Sequence, residues 1–102
     1  MGNTVPDIPM QPAMVVLELY ISGMSPRSMD AIKNIKKICD EYLLNRYLLE
    51  VVDIYKNPEV AKEKRIVFCP SLVKRLPLPV ITMIGNLSDT DRILKTLGLN
   101  NK

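Results

Sequence analysis

The 102-residue sequence predicts one α/β domain, and three observations carry that reading. A nearly all-apolar run from Met14 to Ile21 is followed by an amphipathic stretch and then a second apolar run, Tyr47 to Ile54. The joints between them are short, so the three segments read as a right-handed βαβ unit with parallel strands. Beyond residue 57 the signals run helix, strand, strand, helix, punctuated by proline.

Each element has its own local reason. Residues 1–13 hold Gly2, Pro6, Pro9 and Pro12 with few large apolar groups, so a disordered tail is expected ahead of a domain covering 14–99. Only Glu18 interrupts the first run, which suits a central strand covered on both faces. Ser22-Gly23-Met24-Ser25-Pro26 turns the chain, with Ser25 the expected helix cap and Pro26 the first helical residue. Met29, Ile32, Ile35, Ile38, Cys39, Tyr42 and Leu43 then form the stripe of an amphipathic helix.

Asn57-Pro58 repeats the cap-plus-proline start, and residues 58–64 have room for two helical turns. Arg65 to Phe68 reads as extended. Three prolines in ten residues follow, Pro70, Pro77 and Pro79, and each removes an amide donor that a strand ladder would use. The Cys69-Pro70 bond, just ahead of an apolar run, is a candidate cis peptide. Val80 to Ile84 reads as a strand ended by Gly85-Asn86. Ser88 with Asp91 resembles a capping box for a short helix carrying Ile93, Leu94 and Leu97, with Gly98 as its stop. In order the elements are βαβαββα, the arrangement of a thioredoxin-like domain, whose loop into the third strand carries a cis proline where Pro70 stands.

Composition excludes several chemistries. With no histidine there is no Ser-His-Asp or Cys-His pair and no imidazole metal ligand. Cys39 and Cys69 are too far apart for a Cys-x-x-Cys pair. Cys39 sits at core spacing, and Cys69 has neither a histidine nor a cationic helix start to activate it. The formal charge of +3 is spread along the chain, and Lys33, Lys36 and Lys37 read as a solvated helix face. Tyr20, Tyr42, Tyr47, Tyr55 and Phe68 do not interleave with the basic residues as a nucleic-acid stacking platform would. No apolar run has membrane-spanning length and no basic leader precedes one. The expectation is a cytoplasmic protein without metal, cofactor, membrane or nucleic-acid partner.

Five spaced segments resemble the KaiB family of circadian-clock adaptors. They are Leu19-Tyr20-Ile21-Ser22-Gly23-Met24-Ser25-Pro26, Val52-Asp53-Ile54-Tyr55-Lys56-Asn57-Pro58, Cys69-Pro70-Ser71-Leu72, Leu76-Pro77-Leu78-Pro79-Val80 and Ile84-Gly85-Asn86-Leu87-Ser88. The resemblance runs over about residues 14–97. It implies a non-enzymatic adaptor that docks on the ring ATPase KaiC, competes with a histidine kinase, and in the bound state captures KaiA. It also implies, for some members, refolding between a thioredoxin-like monomer and a tetrameric βαββααβ ground state. Carried onto this sequence, the docking surface comprises Glu50, Val52, Lys56, Asn57, Pro58, Lys62 and Arg65.

This chain departs from the family pattern in ways that bear on function. Thr96 stands where glycine is common, which removes a helix breaker, and Gly98 follows it; both bear on which fold is held. Glu18, Asp30 and Glu50 occupy places that are basic in clock members, while Ile81 and Thr82 replace an Arg-Arg pair. Those changes weigh against a place in a cyanobacterial oscillator, and most against KaiA capture. The competing reading is a thiol-dependent redox protein using Cys69, although the turn opening the first helix, where thioredoxin-like enzymes place their cysteine, has no thiol.

Overall fold

The computed structural model describes residues 14–85 and 87–98; the tail expected over 1–13 and the end of the domain at Leu99 lie outside them. Strand β1 (Val15–Ile21) leads through helix α1 (Pro26–Ile38), with a wider π-type turn over Cys39–Leu43, to β2 (Tyr47–Asp53). The short helix α2 (Pro58–Glu63), strands β3 (Ser71–Leu76) and β4 (Ile81–Ile84), and helix α3 (Thr90–Thr96) complete the described chain. This is the thioredoxin-like βαβαββα order, not the βαββααβ alternative.

The sheet order is β2-β1-β3-β4. β1 runs parallel to β2 and antiparallel to β3, and β3 is antiparallel to β4. Strand alternation assigns the faces. Leu17, Leu19 and Ile21 of β1, Leu72 of β3 and Met83 of β4 point into the main core, against Ala31, Ile35 and Ile38 of α1, Ile93 of α3 and Leu97 just after it. Burying each of these β1 side chains is worth about 1.5–3 kcal/mol. Glu18 and Tyr20 point to the opposite face, beneath α2.

The caps explain where the helices start and stop. Ser25 accepts a hydrogen bond from the Ser28 amide at 3.2 Å, with Pro26 in the first turn. Helix α3 is capped by Asp89, whose carboxylate accepts from the Arg92 amide at 3.2 Å, rather than by Ser88. Gly98, at φ +74°, takes the left-handed position after the helix.

Two further expectations are corrected. Met29 and Tyr42 of the predicted stripe face solvent, while Ser28 and Ala31 are buried. Small residues let α1 lie close against the sheet, and the π-type turn shifts the phase so that Cys39 and Leu43 still face inward. Arg65 to Phe68 form an irregular connection instead of an extended segment. There the Ile66 amide donates to the Ala61 carbonyl (2.8 Å) and the Arg65 amide to the Lys62 carbonyl (3.3 Å), the pair of bonds that closes a helix through a left-handed residue. That residue is Arg65, at φ +56°.

Candidate partner-docking surface

The resemblance-derived docking residues gather around the end of β2 and along α2. Asp53 organises the ground beneath them. One oxygen of its carboxylate accepts from the Tyr55 amide at 2.9 Å, a local turn of the kind aspartate favours, and from the Gly23 amide at 2.9 Å. Its carbonyl accepts from the amides of Lys56 and Asn57 and from the Asn57 side chain. A single residue therefore fixes the 54–57 turn and ties it to the loop opening α1. Asn57 precedes α2 without capping it, because its side-chain amide is turned back to Asp53.

Two concavities flank α2. One, of about 330 Å³, lies over the sheet and takes in Glu50, Val52 and Asn57, with Glu18, Val60 and Lys64 completing its walls. The other is an open depression of about 760 Å³ that includes Pro58, Lys62 and Arg65. Lys56 is exposed on the connecting turn and lines neither. Of the seven residues, all are exposed except Val52, which is half-buried beside Tyr20. Tyr55 at the tip of the turn is 80% exposed and belongs to the same surface, although sequence reasoning passed over it.

Electrostatics within the first concavity centre on Glu18. Its side chain is mostly buried, yet it accepts from Arg75 Nε at 2.8 Å and from the Tyr20 hydroxyl at 2.5 Å, with Lys64 Nζ at 3.9 Å. Burial by itself would raise the carboxyl's pKa; the hydrogen bonds from Tyr20 and Arg75 and the charges of Arg75 and Lys64 outweigh it and hold the group below the usual range. Tyr20 is pushed up, by burial and by donating to that carboxylate. Glu50 stands directly opposite Glu18 on the neighbouring strand and stays exposed. One acid is thus neutralised inside the fold and one is left for solvent.

The thiols are quiet. Burial raises the Cys69 pKa and the charge of Asp53 raises it further, which lowers the thiolate fraction at neutral pH. Cys39 is fully buried and pushed up to about 11, by burial and then by Asp40. The Cys69-Pro70 peptide is cis, as are Leu76-Pro77 and Leu78-Pro79. Thr96 donates its hydroxyl to the Arg92 carbonyl at 2.9 Å and completes the last turn of α3.

The KaiB domain family model matches residues 18–99. The chain belongs to the KaiB family. It is 44% identical to circadian clock protein KaiB3 of Synechocystis over 86 residues, 84% of this chain and 82% of that one. Identity to the circadian clock oscillator protein KaiB of Synechococcus elongatus is 43% over 84 residues, covering 82% of each chain. Among solved structures, the N-terminal domain of Synechococcus elongatus SasA superposes with a TM-score of 0.73 at 21% identity, covering 95% of this chain and 90% of that one. Mitochondrial thioredoxin 3 of Saccharomyces cerevisiae gives 0.66 at 15% identity, covering 84% and 78%. These last two likenesses establish the thioredoxin-like fold of this KaiB-family chain.

No helix among the described residues is long and apolar enough to cross a membrane.

Proposed function

We propose that this KaiB-family chain is a non-enzymatic cytoplasmic adaptor that docks on a KaiC-type ring ATPase and modulates a circadian or stress-related timing system. The observation that carries this reading is the convergence of Glu50, Val52, Lys56, Asn57, Pro58, Lys62 and Arg65 on one surface fixed by Asp53. A surface of mixed charge with one polar hollow and one open apolar depression suits a folded protein partner better than a small substrate. The lack of histidine and the raised thiol of Cys69 support an adaptor over a redox enzyme. Thr96, which closes α3 with its hydroxyl, favours the thioredoxin-like monomer over a refolded tetramer. Pro70 and Gly98 stabilise the same arrangement, the first leading into β3 and the second ending α3. The functional unit is residues 14–99, and the exposed Glu50 and Asp30 disfavour KaiA capture.

The test is mixing with a KaiC-type hexamer on a sizing column in ATP and in ADP. Co-elution with the ring is expected, with the free protein near monomer size. Absence of co-elution in both nucleotides would reject the adaptor role, and a free tetramer would reject the preference assigned to Thr96.

A further inference from the structure

The two edges of the sheet are not alike. β2 is edged with charge, carrying Glu50 and Asp53, whereas no residue from Val80 to Gly85 is charged. Proteins commonly guard a free strand edge with charge or proline, and an unguarded one invites another strand.

The ladder shows which atoms are free. The Gly85 amide donates to the Pro70 carbonyl, so that pair faces inward. Antiparallel pairs alternate, and with Ser71 opposite Ile84 and Val73 opposite Thr82, the amides and carbonyls of Thr82 and Ile84 point away from the sheet. The side chains of the same two residues line a groove of about 340 Å³ between β4 and the 64–68 connection. Its apolar wall is exposed: Val67 is 77% and Phe68 59% accessible, with Val80 and Ile84 close to half. Its charged lining is Lys64, Arg65 and Arg75, with no acid. Arg75 and Lys64 share Glu18, and Arg65 has no ion-pair partner among the described residues.

We infer that β4 accepts an extended segment of a partner protein in which every second residue, the one facing the groove, is apolar or acidic. The segment adds a strand by pairing with the backbone of Thr82 and Ile84. Its apolar side chains rest against Val67, Phe68 and Val80, and its carboxylates meet Arg65 and Lys64. Acidic chemistry is selected because the groove offers positive charge and no negative charge to repel it. The groove shares Arg65 with the proposed ring-docking surface, but Thr82 and Ile84 lie outside that surface, so variants at those two positions separate the two interactions.

The probe is a fluorescein-labelled octapeptide, Thr-Val-Thr-Glu-Thr-Val-Thr-Glu, which puts valine and glutamate on one strand face, with lysine in place of glutamate as control. Anisotropy measures binding, and amide chemical shifts and hydrogen exchange of the protein locate it. The glutamate peptide is expected to bind at least about tenfold more tightly than the lysine peptide, with slowed exchange at Thr82 and Ile84. Thr82→Pro removes an outward amide without touching the β3 ladder, and should weaken binding by about tenfold. Ile84→Lys, which guards the edge with charge, should do the same, and decides the matter if the proline variant proves unfolded. Equal binding of the two peptides, shifts confined to β2, or unchanged affinity in the folded variants would overturn the inference. So would concentration-dependent self-association that Ile84→Lys abolishes, because the edge would then belong to a second copy of this chain.

Discussion

Replacing Glu18 with glutamine tests the internal ion cluster directly. The change keeps size and an oxygen acceptor and removes only the charge. A charge-assisted bond such as the one from Arg75 is worth about 1.5–3 kcal/mol when enclosed, and exposed pairs about 0.2–1 kcal/mol. Arg75 is 31% exposed and Lys64 38%, so the Arg75 pair contributes near the lower end of the first range and Lys64 little. Relief of repulsion from Glu50 offsets part of the loss. A net destabilisation of about 1 kcal/mol follows, lowering the melting temperature by about 4–8 °C for a domain of this size. The pH dependence has a definite sign. Because the folded carboxyl titrates below its unfolded value, its stabilisation is full above the unfolded value, about 4.3, and is lost as pH falls through the folded one. Urea unfolding of both proteins at about pH 7 and in progressively stronger acid should therefore show a gap that closes on acidification. A gap that persists in strong acid, or a Glu18→Gln/Arg75→Gln double-mutant cycle with no coupling, would refute the assignment.

Three further outcomes are expected. Asp53→Ala removes two charge-assisted hydrogen bonds at an accessible turn and should cost about 2 kcal/mol by denaturant unfolding, with faster amide exchange at Gly23 and Tyr55. The two left-handed residues should respond oppositely: Gly98→Ala loses about 1 kcal/mol, while Arg65→Gly holds or gains up to about 0.5 kcal/mol yet weakens ring co-elution. In alkylation assays across pH, Cys69 should react slowly at neutrality and accelerate only above the ordinary thiol range, and Cys39 should react only on unfolding.

The parts of this fold written in local pattern were legible in the sequence. The βαβ unit announced itself through two apolar runs and an intervening amphipathic stretch, and Ser25-Pro26 marked a helix start that the structure places at the same residues. Helix α2 was legible at its start for the same reason. Its end falls within one residue of the expected Lys64, but the way it closes was hidden, because the usual signal is glycine and here an arginine takes the left-handed conformation. Asp89 displaced Ser88 as a cap by one position, a difference too small for side-chain preference to resolve when both residues are good caps. The stripe on α1 was drawn through its largest apolar residues, whereas contact with the sheet selected the small ones. Long-range partners were invisible: nothing in Val52-Asp53-Ile54 reports that the carboxylate reaches Gly23, thirty positions back, or that Glu18 meets Arg75. The docking residues themselves came from family resemblance; their neighbours Tyr55 and Lys64 could have been found only by folding the chain.

The position of β1 has a mechanical consequence. Among the described residues it is the one strand along which the parallel and antiparallel portions of the sheet are stitched, with β2 on one side and β3 on the other. To part the two portions, a partner needs to unzip one row of backbone bonds, pull Arg75 and Lys64 from a single carboxylate, and strip Leu72, Met83, Ile93 and Leu97 from the core they share with α1. The helix-bearing first portion would keep its own strand pair throughout.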